Sequence, residues 1–433
     1  MKTGTAEGRD YFLLRAEWLR FKNSVFDANT ELPTLAAVLD DARRLVEERG
    51  TVGLVYFDLG SDPALEAFHG WLAYDELLRT FVRALEGLAA EGLLSARDRI
   101  AAVSVRSDKF VVFFGGTGAA PLDLAGVSAL ATRLREKLVA ALAGYSALPG
   151  KFHDGHALLQ RDPMLRTERL IHRALDEAML MSLRRRSNEE DRRAQGLDAL
   201  IRSGHVNTFY QPIMDLRSRS VIGHEVFNRG PAGSAFEDAE GLFALAERTG
   251  RLLDFERLCR TRAIGSVRRH LPVGQKLFLN TSARALTDPD VAGPGFVTLV
   301  ERAGLPHGDV VLEINERVAS EARGDYGTVL RELKLAGFRI AIDDMGAGYS
   351  SLHSVVEMEP DYMKFDVSLV HNIDRSLIKR SLLETLVELA TKIRAEVIAE
   401  GIEGEQELRA VRDMGVRLGQ GHYLAAPSPV PAG

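Results

Sequence analysis

Apolar and polar positions follow two different rhythms along this chain, and the change falls near its middle. Residues 10–27 carry Leu14, Trp18 and Phe21 at helical spacing with Arg15, Glu17 and Arg20 between them, which predicts a short lead-in helix within 1–30. Pro33 marks a turn, and the charged run 40–48 reads as an amphipathic helix. The apolar run 52–58, VGLVYFD, predicts a buried strand ending in Asp58. Residues 74–88 are helical in pattern. The runs 101–105 and 110–114 read as two strands about Arg106-Ser107-Asp108-Lys109, and 124–142 and 166–186 as amphipathic helices. His153-Asp154-Gly155-His156 reads as a surface loop, since no partner His or Asp cluster stands at the spacing of a metal phosphohydrolase. The charge run 184–193 reads as a solvated helix between domains.

Beyond about residue 197 short apolar runs alternate with helical stretches. The runs are 206–210, 221–227, 276–280, 310–314, 339–342, 362–365, 396–399 and 418–423, with helices at 239–248, 254–270, 326–336, 377–394 and 404–414. This βα alternation predicts a parallel sheet. Roughly eight strands fit a (β/α)8 barrel better than an open doubly wound sheet, and no GxGxxG or P-loop motif supports the open sheet. The predicted fold class is α/β: a first domain over 31–186 with a central sheet flanked by helices, a linker over 187–196, and a TIM-like barrel over 197–433.

The 433 residues suit two or three domains. A net charge of -6 with interspersed signs argues against a binder of nucleic-acid polymers or of membrane surfaces. The single cysteine, Cys259, excludes an intrachain disulfide and fits a reducing cytoplasm. The stretch MKTGTAEGRDYFLLRAEW has no apolar core of signal-peptide type, and no run approaches the ~20 apolar residues of a membrane span.

In a barrel of this kind reactive residues gather at the C-terminal strand ends. Polar residues fall there: Glu225, Asn280, Glu313 with Glu316, Asp343 with Asp344, Lys364 with Asp366, Glu400 with Glu403, and Gln420. Singly, each has an ordinary explanation as a helix cap or turn residue. Together they place many carboxylates on one rim, an arrangement that cations stabilise. Oxygen donors without Cys or His point to Mg²⁺ or Mn²⁺, and the adjacent Asp343 and Asp344 suggest two-metal hydrolysis of a phosphodiester.

The second half resembles an EAL domain, the bacterial family of cyclic-di-GMP phosphodiesterases. The resemblance is carried in order by FYQPIMDLRSRSVIGHEVFNRGP, FLNTSARAL, LEINER, LKLAGFRIAIDDMGAGYSSL, PDYMKFD, VIAEGIE and GQGHYL. It implies cleavage of cyclic-di-GMP to linear pGpG with two Mg²⁺ or Mn²⁺ ions. Glu225, Asn280, Glu313 and Asp343 would hold one ion, and Asp343, Asp344 and Glu400 the other. Lys364 would act with Asp344 and Glu400 in catalysis, its pKa lowered by the cations. Gln211, Arg229, Asp366 and Gln420 would contact substrate, and Glu316 and Glu403 would steady the loop over 344–352. The resemblance also implies a homodimer through this domain. Departures are Val226 and Phe227 for the usual Ala-Leu, Asn228 for an apolar residue, Asn315 for Thr, and DMGAG for DFGTG; none removes a ligand.

The first half resembles a GGDEF (diguanylate cyclase) domain through Asp58, Asp75-Glu76-Leu77-Leu78, RSDKF at 106–110 and 174–179. Arg106 and Ser107 replace the signature glycines, Lys109 its metal-liganding acid, and Glu66 the guanine-reading Asn, so no cyclase activity is expected. The expected role is regulatory, with a protein partner as one possible input. The alternative to the enzyme is a catalytically silent cyclic-di-GMP receptor signalling to a protein partner.

Overall fold

The computed structural model describes Trp18 and residues 21–60, 63–116, 121–142, 152–267, 270–315, 326–346, 355 and 358–431. Most of the lead-in helix expected over 10–27 lies outside the described residues, as does the side chain of Glu66. The chain divides into two compact units, Met1–Arg192 and Arg193–Gly433.

In the first unit four strands, β1 Thr51–Asp58, β2 Arg99–Ala102, β3 Lys109–Phe114 and β4 His153–Gln160, form a sheet in the order β2-β3-β1-β4 with antiparallel neighbours. Alternation along β1 serves both faces. Val55 and Phe57 pack with Phe81 of helix α2 (Pro63–Ala90) and Leu134 of α3 (Leu124–Ala141). Leu54 and Tyr56 pack with Ala42 of α1 (Leu35–Arg49) and Ala178 of α4 (Thr167–Ser203). Helix α4 runs through residues 187–196 without a break.

The structure corrects the reading of His153-Asp154-Gly155-His156 as a surface loop. These residues begin β4, paired along its length with β1. Two features offset their low strand propensity. A Cβ on Gly155 would stand 1.9 Å from the carbonyl oxygen of Ala178, so the missing side chain is what lets α4 lie on the strand. Asp154 is buried at 1% exposure between Arg135, 2.7 Å away, and Arg185 of α4. At the β2–β3 hairpin, Arg106 stands at a left-handed φ of 54° and its backbone N–H donates to the buried Asp27 carboxylate at 2.6 Å.

In the second unit eight strands close a barrel in the order β10-β11-β12-β5-β6-β7-β8-β9. They are β5 Asn207–Asp215, β6 Val221–Arg229, β7 Lys276–Thr281, β8 Val310–Asn315, β9 Arg339–Met345, β10 Tyr362–Phe365, β11 Glu396–Ala399 and β12 Leu418–Gly419. Helices α5 (Ala239–Arg248), α6 (Leu252–Val267), α7 (Pro294–Ala303), α8 (Tyr326–Leu335), α9 (Leu377–Ile393) and α10 (Glu405–Asp413) connect them. The sheet is not wholly parallel as the alternation predicts: β5 runs antiparallel to both neighbours, β6 and β12. The cause is local. Only a turn separates β5 from β6, too short for a crossover, so the two form a hairpin.

Asp215 secures this hairpin and the barrel's closure. Its Oδ1 accepts from the N–H groups of Arg217 and Ser218 at 3.0 and 2.9 Å, and its Oδ2 accepts from Nε of Arg417, next to β12, at 3.0 Å. These donors, the Ser218 N–H foremost, hold its carboxyl down at about 2. The folded pKa lies below the unfolded one, so the contribution to stability is present above pH ~4 and is lost as pH falls toward ~2. Asp215→Asn is therefore expected to lower stability at pH 7, with the gap to wild type closing between pH 4 and 2. Urea unfolding across this range checks it, and a gap independent of pH would contradict the assignment.

Candidate metal centre at the barrel rim

The barrel interior is built in layers. Ile213, Phe278, Val311, Ala341, Tyr362, Ile398 and Leu418 make an apolar layer. Side chains alternate along a strand, so the residue two positions on shares the same inward direction. Two residues toward the rim from that layer stand Asn280, Glu313, Asp343, Lys364, Glu400 and Gln420. On the reversed β5 the step toward the rim runs backwards, from Ile213 to Gln211, and Gln211 sits in register with Glu225 of β6. The structure thus brings Gln211, Glu225, Asn280, Glu313, Asp343, Lys364, Glu400 and Gln420 to one opening.

Lys364 is the hub. It is wholly buried, and its Nζ lies 2.7 Å from Glu313 and Glu400 and 3.1 Å from Glu225 and Asp343. Burial alone would lower its pKa, but the four carboxylates outweigh that and raise it well above the ordinary value. Around the hub, Asn280 Nδ2 donates to Glu225 Oε1 at 3.1 Å. Gln420 Nε2 donates to Glu225 Oε2 and to Gln211 Oε1, both at 2.8 Å, while Gln211 Nε2 donates to the carbonyl of Ala425 at 3.1 Å. Glu225 is held by amides on both oxygens.

Adjacent residues of a regular strand point to opposite faces, so Asp343 and Asp344 should not share a site. The register shows how they do. Ile342 pairs with Met363 and Met345 with Phe365, leaving both aspartates opposite Lys364 alone. This is a β-bulge, and Asp344 takes the left-handed φ of 58° that Asp tolerates. One oxygen each of Asp343, Asp344 and Glu400 then lie within 4.8 Å of one another. Asn315, in register with Asp343, donates its side-chain amide to Asp344 Oδ2. The sequence marked Asn315 only as a departure from Thr; its reach to Asp344 appears once β8 and β9 are paired.

Electrostatics suit a cation. Burial, followed by the Asp343 charge, pushes Asp344 up to about 6. Burial, then Glu225, raises Glu313 well above the carboxylate range against the pull of Lys364. Burial likewise raises Glu400, with Lys364 opposing and Asp343 and Glu225 adding to the rise. Glu313 Oε2 is buried without a hydrogen-bond partner among the described residues. A carboxylate oxygen in that state is costly unless a cation or proton meets it. The donor set is all oxygen apart from Lys364, which fits a hard divalent ion.

The remaining expected residues lie farther out. Arg229 is exposed at the end of β6, its guanidinium 5.5 Å over the Phe209 ring. Asp366 caps the turn Val367–Val370, accepting from the Ser368 N–H at 2.8 Å. Glu403 is exposed, with a carboxylate oxygen 3.8 Å from His371. Glu316 and residues 347–352 of the loop lie outside the described residues. Asn228 accepts from the Thr208 hydroxyl at 3.1 Å.

A family profile described as EAL domain matches residues 193–427. Among curated proteins, the chain is 28% identical over 234 residues to the probable cyclic di-GMP phosphodiesterase PdeG of Escherichia coli, spanning 52% of this chain and 45% of that protein. It is 24% identical over 421 residues to the cyclic di-GMP phosphodiesterase PdeR of the same organism, spanning 94% of this chain and 62% of that one. The chain thus covers less than two thirds of the length of either relative. A solved structure of the EAL enzyme Bd1971 bound to cAMP and cyclic-di-GMP is similar in fold, with a TM-score of 0.51 at 22% identity over 63% of this chain and 78% of that one. Among the described residues, no helix is long and apolar enough to cross a membrane.

Lys364→Met removes the buried cation from four carboxylates. In chelator the variant is expected to lose about 3–5 kcal/mol of stability, as when one partner of a buried ion pair is deleted. Millimolar Mg²⁺ or Mn²⁺ should restore more stability to it than to wild type. Thermal unfolding with and without the ions reads both effects, and a variant as stable as wild type in chelator would contradict the hub.

Proposed function

The chain belongs to the EAL-domain family, and on that premise we propose that it hydrolyses cyclic-di-GMP to linear pGpG with two Mg²⁺ or Mn²⁺ ions. The observation that carries this reading is the β-bulge, which turns both aspartates toward one site beside a complete ring of Glu225, Asn280, Glu313 and Glu400. The names of PdeG and PdeR, both of which include cyclic di-GMP phosphodiesterase, support this choice of substrate class. Glu225, Asn280, Glu313 and Asp343 would hold one ion, and Asp343, Asp344 and Glu400 the second. Bound there, the ions supply Lewis-acid activation of the phosphodiester and of the attacking water.

The chain's own groups do the rest. Asn280 and Gln420 fix Glu225 through both oxygens, and Asn315 fixes Asp344. Lys364 holds the four carboxylates in one place and presents a cation to the reacting phosphate as negative charge builds. With the ions bound it would orient the attacking water or assist its deprotonation, together with Asp344 and Glu400. Arg229, exposed at the rim, suits a substrate phosphate, and Gln211 and Gln420 border the same opening. Asp366 caps through one oxygen, and its other oxygen would serve the substrate contact.

The first unit is proposed as a GGDEF-like regulator without cyclase activity. In support, the Arg106 N–H is taken by Asp27, and Ser107 Oγ takes the Lys109 N–H at 3.0 Å, so these donors are not free for a phosphate. Dimerisation through the barrel belongs to the same proposal.

The test is incubation of the protein with cyclic-di-GMP and Mg²⁺ or Mn²⁺, with chromatographic separation of products. Metal-dependent pGpG that EDTA abolishes is expected, with a loss of at least ~100-fold in Asp343→Ala and Glu225→Ala. Absence of product with retained nucleotide binding would overturn the enzyme and leave the silent receptor.

A further inference from the structure

Helix α6 buries Phe255, Cys259, Ala263, Ile264 and Val267 along one face, and the same stripe contains Glu256 and Arg260. Two opposite charges four residues apart thus stand where the helical repeat demands apolar side chains. They are 6% and 3% exposed. Burial raises the Glu256 carboxyl and lowers Arg260 to about 10, so the surroundings disfavour the charged form of each. Glu256 Oε2 and Arg260 Nη1 have no hydrogen-bond partner among the described residues. A buried pair of this kind, incompletely bonded, is a poor source of stability, and apolar residues of similar size commonly do as well or better.

What the pair touches supplies its purpose. Arg260 Nη2 donates to the carbonyl of Asn280 at 3.3 Å and to Thr281 Oγ1 at 3.0 Å, with its guanidinium 5.0 Å over the Phe296 ring. Glu256 Oε1 accepts from the Ser282 N–H at 3.2 Å. Three successive residues at the end of β7 are therefore gripped from behind, and the first is the exposed Asn280 whose side chain holds Glu225. We propose that Glu256 and Arg260 are positioning residues for the rim, fixing the β7 terminus so that Asn280 and Glu225 are presented together to a divalent cation. Neither touches the reacting atoms. The proposal rests on the metal-site reading above.

The test separates positioning from packing. The double variant Glu256→Leu/Arg260→Leu fills the stripe with apolar side chains. A packing role alone predicts a lower Tm and unchanged metal affinity. The positioning role predicts a Tm at or above wild type, Mn²⁺ binding weakened about 10-fold or more by calorimetry without substrate, and a lower kcat with KM little changed. Wild-type Mn²⁺ affinity in the folded double variant would overturn the proposal while leaving the metal site intact; absence of Mn²⁺ binding in wild type would overturn the metal site itself. Should the double variant fail to fold, Arg260→Met decides, because it keeps an unbranched apolar stem and removes the Nη2 that donates to both Asn280 O and Thr281 Oγ1: weakened Mn²⁺ binding in the folded variant supports positioning, and unchanged binding overturns it.

Discussion

One ammonium group within 3.1 Å of four carboxylates is the contact on which the barrel's open end depends. Four acids on one rim repel, and no arrangement of strands would hold them together in a low-dielectric interior without opposite charge. Lys364 supplies part of that charge from inside the protein. Burial first, and then the neighbouring carboxylates, still raise Glu313, Asp344 and Glu400 in spite of it. A cation bound at the rim would relieve that cost.

The scaffold meets this demand by simple periodicity. A layer of apolar side chains closes the barrel, and the polar ring stands one two-residue step above it. Two departures from regularity complete the ring. Reversal of β5 brings Gln211 level with Glu225, and the bulge opposite Lys364 turns Asp344 to the side of Asp343. Within the ring Gln420 bonds Gln211 and Glu225, and behind it Asn315 bonds Asp344 while the α6 pair bonds the β7 terminus. Such outer contacts tune affinity more than they add stability.

Much of this was legible in the sequence, and for identifiable reasons. Runs such as YMKF and EVIA are buried on both faces, so apolar character alone locates β10 and β11 at their true bounds. The rim residues followed from the rule that strand ends carry chemistry. Direction was less visible: β5 carries the same apolar signal whichever way it runs, and only its short connection to β6 makes it antiparallel. The local pattern of His153-Asp154-Gly155-His156 carries no strand signal, because its strand depends on partners distant in sequence, Arg135, Arg185 and the backbone of Ala178. Glu256 and Arg260 look like an ordinary i,i+4 surface pair until the helix face is known.

In the proposed function the rim would hold two divalent ions, with Asp343 a ligand of both. Anomalous diffraction from crystals grown with Mn²⁺ tests this most directly. Two peaks are expected in the barrel opening, one among Glu225, Asn280, Glu313 and Asp343 and one among Asp343, Asp344 and Glu400. An opening without Mn²⁺ at millimolar concentration, with Lys364 still enclosed by its carboxylates, would contradict it.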